Sequence, residues 1–117
     1  MIKIAINGFG RIGRLVFRAS LSNTNIEVVA INDLVDVEYL AYLLKYDSVH
    51  GMLDVEVNCN LDSINVDGRR ILVKNEKDPS KLNWSDYDID FVVEATGLFL
   101  TKDLASKHLE AGAKKVI

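Results

Sequence analysis

Short apolar runs alternate along this chain with segments in which apolar residues recur every three or four positions. The runs at 2–7 and 26–32 are rich in β-branched residues, and the uninterrupted stretch 28–31 predicts a strand buried on both faces. Segments 11–21 and 37–45 instead predict amphipathic helices. Their predicted inward stripes are Ile12, Leu15, Val16 and Ala19 in the first helix, and Val37, Leu40, Ala41 and Leu44 in the second. This order predicts an α/β fold with parallel strands.

The middle of the chain has a two-residue period. Positions 55, 57, 59 and 61 are apolar and alternate with polar residues, as in a half-buried strand. Asp67-Gly68 predicts a tight turn between apolar positions 64–66 and a returning strand at 71–73. We therefore expect an antiparallel hairpin inserted among the parallel strands.

The last part of the chain predicts a further strand–helix–strand unit. A turn or helix start is expected at Asp78-Pro79, Leu82 and Trp84 are expected to pack inward, and a buried strand is predicted at 89–93. Asp86, Asp88 and Asp90 are interpreted as solvated turn residues before that strand. The following helix is predicted to begin at the N-cap Thr101 and to stop at Gly112, with one face formed by Leu104, Ala105, His108 and Leu109. A new strand begins at 115–117.

Three glycines occupy the junction between the first strand and the first helix. Gly8, Gly10 and Gly13 follow Asn7 with the spacing G-x-G-x-x-G, which is typical of dinucleotide-binding turns. In such turns the first glycine allows a tight turn, the second lets the backbone approach a pyrophosphate, and the third lets helix and strand pack closely. The helix start offers unpaired N–H groups to the phosphates, first those of Arg11 and Ile12.

An acidic residue lies at the distance that this motif requires. Asp33 follows Gly13 by 20 residues, at the end of the second predicted strand, where a carboxylate can bind an adenosine ribose. We therefore predict a Rossmann-type, doubly wound parallel sheet with an inserted antiparallel hairpin. Because a domain rarely ends in a core strand, we expect residues 1–117 to be one incomplete dinucleotide-binding domain, truncated before its last strands.

The same carboxylate predicts which dinucleotide binds. A 2′-phosphate would be repelled by Asp33, and the next residue, Leu34, offers no compensating cation. NAD is therefore favoured over NADP, although Lys77 could swing in to compensate.

Charge and composition exclude several other classes. The 117 residues carry a net charge of −3, which gives no basic surface for nucleic acid. The chain has no apolar segment long enough to span a membrane, and its single cysteine fits a reducing compartment. A soluble cytoplasmic protein is expected.

The sequence offers weak candidates for catalysis. Cys59 has no nearby base or cation and is expected to be a small buried hydrophobe. Asp47, Ser48 and His50 lie too close together in one loop to form a triad, so structural capping or a subunit contact is favoured there. His108 is interpreted as a packing residue. No histidine or cysteine pair has metal-ligand spacing, so we expect no metal site in this chain.

Six segments together resemble phosphorylating glyceraldehyde-3-phosphate dehydrogenases of bacterial type. They are NGFGRIGR (7–14), VAIND (29–33), LLKYDSVHG (43–51), EKDP (76–79), EATGLF (94–99) and AGAKKVI (111–117). The resemblance covers the whole chain, which corresponds to about the first third of such an enzyme.

The resemblance implies a homotetrameric glycolytic enzyme that oxidises an aldehyde through a cysteine thiohemiacetal, transfers hydride to NAD and releases the acyl group to phosphate. The nucleophilic cysteine, the histidine base and the substrate-binding arginines would come from sequence absent here. Carried over by motif, Gly10, Arg11 and Ile12 would hold the pyrophosphate, Asn7 would lie near the nicotinamide and Asp33 would bind the ribose. The adenine would be flanked by Leu34, Lys77, Thr96, Gly97 and Phe99, and segment 46–51 would serve subunit contacts.

Three alternatives stay open at this point. Erythrose-4-phosphate dehydrogenase shares the first and third motifs, although EKDP and EATGLFLT favour the glyceraldehyde-3-phosphate enzyme. A stand-alone nucleotide-binding module would also lack catalytic residues. A biosynthetic reductase can begin with a similar glycine-rich turn, but segment 46–51 argues against it.

Overall fold

The computed structural model describes residues 2–23, 25–46, 55–96 and 102–117. Within these ranges the strands are β1 (Ile2–Asn7), β2 (Ile26–Asn32), β3 (Val57–Cys59), β4 (Ser63–Val66), β5 (Arg69–Lys74), β6 (Phe91–Glu94) and β7 (Lys115–Val116). The helices are α1 (Arg11–Ser20), α2 (Val37–Lys45) and α3 (Lys102–Glu110), with short 3₁₀ turns at Pro79–Lys81 and Trp84–Tyr87. Each of the described helices is too short or too polar to cross a membrane.

The described strands form one mixed sheet in the order β3-β4-β5-β2-β1-β6-β7. Its centre is parallel: β1 pairs with β2 and β6, β2 pairs with β5, and β6 pairs with β7. The β3-β4-β5 edge is antiparallel. Asp67 and Gly68 join β4 to β5 with φ values of 51° and 81°, as the Asp-Gly turn signal predicts. The predicted α/β fold with an inserted hairpin is confirmed.

Apolar clusters cover both faces of the sheet. The larger cluster joins alternate residues of β1 and β2, such as Ile6 and Ile31, to Phe17 of α1 and Leu40 of α2. The smaller cluster contains Ala5, Ala30, Leu82, Trp84, Ile89, Val92, Ala111 and Ala113. Burial of β2 on both faces is therefore confirmed, as is the inward packing of Leu82 and Trp84.

The predicted inward stripe of α1 is wrong at three of its four positions, and only Val16 packs against the larger cluster. Ile12 and Leu15 are 59% and 46% exposed, whereas Gly13, Phe17 and Ser20 are buried. A Cβ at Gly13 would lie 2.2 Å from the carbonyl oxygen of Gly8, so the helix approaches the strand through its glycine. Phe17, one turn later, then packs edge-on against Phe9 with ring centroids 5.9 Å apart. Close backbone contact, rather than the number of apolar residues, selects the face.

Two arginines of α1 donate hydrogen bonds to backbone carbonyl oxygens. Arg14 Nη1 donates to the Phe9 carbonyl oxygen at 3.0 Å, and Arg18 Nη2 donates to the Leu44 carbonyl oxygen at 2.7 Å. The second bond places a cation at the C-terminal end of α2, where the helix dipole favours it.

Two apolar residues expected to face inward are exposed. Leu61 is 99% exposed because β3 ends at Cys59, before the predicted alternation does. Leu109 is 48% exposed, whereas its neighbour His108 is fully buried and defines the inward face of α3. The side chains of Leu104 and Ala105, and Thr101 itself, lie outside what the structure describes.

The C-terminal end of α3 follows the prediction for Gly112. Its φ is 111°, and the N–H groups of Gly112 and Ala113 donate to the carbonyls of Leu109 and His108. This is the Schellman pattern, which requires a left-handed residue and so favours glycine.

Of the three aspartates before β6, Asp86 and Asp88 are exposed turn residues, as predicted. Asp90 is different, because its carboxylate accepts from the Lys3 backbone N–H and from Lys114 Nζ, each at 3.0 Å. These two bonds hold the pKa of the Asp90 carboxyl below its usual value.

Candidate cofactor site

A crevice of about 640 Å³ opens at the carboxyl ends of β1, β2 and β6. In parallel α/β sheets this is where ligands bind. Its walls are formed by Asn7, Gly8, Gly10, Asn32, Asp33, Leu34, Glu76, Lys77, Glu94, Ala95, Thr96 and Lys107. Seven of the sequence-predicted site residues are therefore brought together around one opening: Asn7, Gly8, Gly10, Asp33, Leu34, Lys77 and Thr96.

The turn after β1 leaves no space for side chains at two of its glycines. Gly8 has φ 93°, and a Cβ there would lie 2.7 Å from the Thr96 backbone. Its N–H donates to the Asn32 carbonyl at 2.7 Å, which ties the turn to the end of β2. Gly13 lies against the Gly8 carbonyl, as described above. Both glycines are required by the fold itself.

Gly10, which lines the opening together with Gly8, is the exception. A Cβ at Gly10 would meet nothing within 4 Å, and its φ of −78° is accessible to any residue. Gly10 is the N-cap of α1 and has no side chain that could accept hydrogen bonds from the first turn of the helix. It therefore does not cap the N–H groups of that turn, which include those of the exposed residues Arg11 and Ile12. The space that the fold leaves at Gly10 suits a ligand in close contact with the backbone.

Asp33 is held beside this turn. Its Oδ2 accepts from the Phe9 backbone N–H at 2.7 Å, and its Oδ1 accepts from the Val35 backbone N–H at 3.0 Å. Each carboxylate oxygen keeps a lone pair for a further donor. The half-buried carboxylate can therefore accept hydrogen bonds from hydroxyls in the crevice.

The remaining predicted residues occupy the rim or lie elsewhere. Leu34 is 64% exposed and contributes an apolar surface, and Lys77 contributes a cation. Arg11, Ile12 and Gly13 belong to the first turn of α1 but do not line the crevice wall. Gly97 and Phe99 lie outside the described residues.

Sequence reasoning missed five lining residues: Asn32, Glu76, Glu94, Ala95 and Lys107. Asn32 and Glu94 could have been found by the rule that identified Asp33, because each ends a predicted strand. Lys107 had no such signal, since its helix face becomes known only from the packing of α3. With Lys77 it adds a second positive charge to a wall that also carries the carboxylates of Asp33, Glu76 and Glu94.

A polar network runs from Asn7, Glu94 and Thr96 in the crevice wall to the fully buried His108. Asn7 Nδ2 donates to Glu94 at 2.9 Å, His108 Nε2 lies 2.6 Å from Glu94 Oε2, and Thr96 Oγ1 donates to Glu94 Oε1 at 2.8 Å. Burial alone would raise the pKa of the Glu94 carboxyl, but these hydrogen bonds outweigh it and hold the pKa below its usual value of 4.5. His108 is therefore a polar member of the core and not simply a packing residue.

The other candidate groups do not form a reactive site in the described part of the chain. Cys59 is a free, half-buried thiol that packs beside the larger apolar cluster. His50, Asp47 and Ser48 lie outside the described residues. Among residues 2–23, 25–46, 55–96 and 102–117, no group of three or more histidine, cysteine, aspartate or glutamate side chains is arranged to hold a metal ion.

Comparison with known proteins identifies the family. The family model for the glyceraldehyde 3-phosphate dehydrogenase NAD binding domain matches residues 2–102. The chain is 60% identical over 116 residues to glyceraldehyde-3-phosphate dehydrogenase of Geobacillus stearothermophilus, covering 99% of this chain and 35% of that protein. It is 59% identical to the Haemophilus influenzae enzyme, with 99% and 34% covered, and 60% identical to glyceraldehyde-3-phosphate dehydrogenase 1 of Bacillus cereus, with 100% and 35% covered.

These curated relatives set the extent of the match. The chain spans about a third of their length, and the matched third is the one described by the NAD-binding domain model. NAD is the cofactor that domains of this family bind. The chain belongs to the glyceraldehyde-3-phosphate dehydrogenase family, within its NAD-binding domain.

Proposed function

We propose that this chain is the cofactor-binding part of an NAD-dependent, phosphorylating glyceraldehyde-3-phosphate dehydrogenase and that NAD binds in the crevice at the carboxyl ends of β1, β2 and β6. The observation that carries the proposal is the 2.7 Å hydrogen bond from the Phe9 N–H to Asp33. It joins the glycine-rich turn to the acidic residue, so a phosphate group and the neighbouring sugar of one ligand can be held together.

The chemistry of the turn fits a pyrophosphate. Gly10 leaves open space, and the N–H groups of Arg11 and Ile12 begin a helix whose positive dipole end favours anions. The Arg11 side chain is exposed beside them and adds a positive charge. We assign these three residues to the phosphates, and Gly8 and Gly13 to the shape of the turn.

The two ends of the crevice suit the two halves of a dinucleotide. Asp33 would accept from the adenosine ribose, and exposed Leu34 would pack against the adenine ring. Lys77 and Thr96 would flank the same ring, together with Gly97 and Phe99, whose assignment rests on the resemblance. Asn7, at the end of β1, would lie toward the nicotinamide.

The proposed division of labour assigns no catalytic residue to this chain. Bound NAD would supply the hydride acceptor for aldehyde oxidation, while the residues named above would bind and orient it. Glyceraldehyde 3-phosphate and inorganic phosphate are the proposed substrates of the whole enzyme. Its nucleophile would come from sequence outside this chain, because Cys59 lies on the inserted hairpin, away from the crevice.

Isothermal titration calorimetry with NAD tests the binding site. We expect Asp33→Ala to raise the Kd on the order of tenfold, because hydrogen bonds to a charged group contribute about 1.5–3 kcal/mol each. The matched control is Asp62→Ala, since Asp62 is an exposed carboxylate paired with Arg70 on the inserted hairpin. Equal Kd values for wild type and Asp33→Ala would contradict the assignment.

An activity assay of the complete enzyme tests the proposed substrate. We expect NADH formation with glyceraldehyde 3-phosphate and phosphate to exceed that with erythrose 4-phosphate. The reverse preference would favour erythrose-4-phosphate dehydrogenase, and activity with neither aldehyde would favour a binding module.

We further propose that the protein self-associates, as the implied homotetramer requires, and that it acts in the cytoplasm. An exposed aromatic row along α2 and its C-cap supports self-association: Tyr39, Tyr42 and Tyr46 are 52%, 58% and 54% exposed, with successive ring centroids 6.5 and 5.3 Å apart. Sedimentation velocity should show a smaller species for Tyr42→Ser and no change for Leu61→Ser, which removes an isolated exposed side chain. Fractionation of cells should recover the protein in the cytoplasmic extract.

A further inference from the structure

The polar network that runs inward from the crevice wall has one allowed arrangement of its protons at the end near α3. Trp84 Nε1 lies 3.1 Å from His108 Nδ1, and an indole N–H can only donate. Nδ1 must therefore be unprotonated, and the ring proton lies on Nε2. There it points at Glu94 Oε2, 2.6 Å away. In the opposite tautomer, Nδ1–H would point at the Trp84 N–H, so two donors would meet. The unprotonated Nε2 would then point at Glu94 Oε2, so two acceptors would meet.

The other end of the network is fixed in the same way. The Glu76 backbone N–H donates to Asn32 Oδ1 at 2.8 Å, so the amide nitrogen of Asn32 must point the other way. That nitrogen donates to the Glu76 carbonyl at 2.9 Å and to Asn7 Oδ1 at 2.7 Å. Asn7 must then direct its own nitrogen to Glu94. The N–H groups at the two ends of the network, those of Trp84 and Glu76, can only donate. The ring and the side-chain amides between them therefore each have a single orientation that satisfies their partners.

The hydrogen bonds that run inward from the two ends of the network meet at the Glu94 carboxylate. It accepts from His108, Asn7 and Thr96, and its side chain is only 1% exposed even though the residue forms part of the crevice wall. The backbone of Thr96 packs so closely on Gly8 that a Cβ added at Gly8 would lie 2.7 Å from it. Glu94 therefore lies two residues before the backbone that packs on the Gly8 turn, and its carboxylate is shielded from solvent.

We propose that His108 is a positioning residue: with Asn7 and Thr96 it holds the Glu94 carboxylate inside the crevice wall, turned away from the phosphates of the bound dinucleotide. This inference rests on the proposed function, since it concerns how NAD is accommodated. A carboxylate released toward the Gly8–Gly10 turn would meet the pyrophosphate as a like charge in a partly desolvated site, which is unfavourable. His108 lies too deep to contact the cofactor itself, because it is fully buried.

The decisive experiment combines variants of both partners and measures the NAD Kd by calorimetry. His108→Leu removes the donor and is expected to raise the Kd on the order of tenfold by releasing the carboxylate. His108→Gln keeps an N–H donor and should stay within about threefold of wild type. Glu94→Gln removes the charge, and its Kd is the reference for the double variant.

The double variant separates positioning from a general structural role. If the His108→Leu defect arises from the released charge, adding Glu94→Gln should restore the Kd to within about threefold of Glu94→Gln alone. If the double variant remains as weak as His108→Leu, or if Glu94→Gln alone is equally weak, the proposal is wrong. Urea unfolding followed by Trp84 fluorescence shows that each variant is folded under the conditions of the titration.

Nitrogen NMR decides the inference independently of NAD affinity. In wild type we expect an unprotonated His108 Nδ1 and a hydrogen-bonded Trp84 indole N–H, and we expect the Asn7 side-chain amide signals to shift in His108→Leu but not in His108→Gln. A protonated Nδ1, or an Asn7 amide that does not respond, would overturn the positioning proposal. Failure of the wild type to bind NAD with this NMR pattern intact would overturn the proposed function instead.

Discussion

The backbone N–H of Phe9 and the carboxylate of Asp33 are 2.7 Å apart, although 24 residues separate them in the sequence. The first lies in the turn between β1 and α1, and the second follows β2. Parallel pairing of β1 with β2, ending at Asn7 opposite Asn32, brings the two segments to the same edge of the sheet. The two halves of the sequence motif are therefore one structural unit, and the predictions below test what each part contributes.

The two glycines on either side of the helix start should respond differently to alanine. Gly13→Ala is expected to destabilise the fold by about 1–3 kcal/mol or more, because its Cβ would lie 2.2 Å from the Gly8 carbonyl oxygen. Gly10→Ala should cost less than about 1 kcal/mol, because its Cβ enters open space. Urea unfolding measures both. Equal stability losses would contradict the packing described for α1.

Gly10→Ala should nevertheless weaken NAD binding, because the methyl group would occupy space proposed for the pyrophosphate. Calorimetry is expected to show a higher Kd at nearly unchanged stability. An unchanged Kd would mean that Gly10 does not lie next to the bound pyrophosphate.

Cofactor choice should depend on the charge at position 33. Asp33→Asn keeps an oxygen that can accept from the Phe9 N–H but removes the repulsion of a 2′-phosphate. We expect the ratio of NADP Kd to NAD Kd to fall on the order of tenfold. A ratio that does not change would mean that Asp33 does not select the cofactor.

The buried face of α1 can be tested with two truncations. Phe17→Ala should cost about 3–5 kcal/mol, because Phe17 is fully buried in the larger cluster. Leu15→Ala should change stability by no more than about 0.5 kcal/mol, because Leu15 is 46% exposed. If Leu15→Ala reduced stability more than Phe17→Ala, the inward face predicted from the sequence would be the correct one.

Acid should weaken the fold through Glu94. Its pKa is lowered in the folded state, so the unfolded chain binds the proton more readily and stability falls as the pH drops below 4.5 through the lowered folded value. Above that range the stabilisation is fully present. Glu94→Gln should lack this part of the pH dependence of the urea midpoint, whereas Glu56→Gln, at an exposed carboxylate, should keep it. Identical acid profiles for wild type and Glu94→Gln would contradict the stabilising hydrogen bonds.

Local periodicity predicted the order of elements well, because each strand and helix is specified by residues close in sequence. The positions of Asp67-Gly68 and Gly112 were predictable for the same reason, since a left-handed conformation is a local property. The inward face of α1 was not, because it depends on a contact between Gly13 and the Gly8 carbonyl that apolar counting ignores.

The polar network could not be predicted from sequence at all. Asn7 and Glu94 are 87 residues apart, and Trp84 and His108 are 24 apart. Only the pairing of β1 with β6 and the docking of α3 bring them together. The rule that ligands bind at the carboxyl ends of parallel strands identified Asp33. It does not say which neighbouring strands end at the same crevice.

The most direct test is a ¹H–¹⁵N NMR titration of the chain with NAD. We predict that the largest shifts fall on the backbone amides of Arg11 and Ile12 and on those next to Asp33, while the amides of Val57–Cys59 stay in place. Large shifts confined to the β3–β4 hairpin, or no shift at the start of α1 at saturating NAD, would contradict the proposed site.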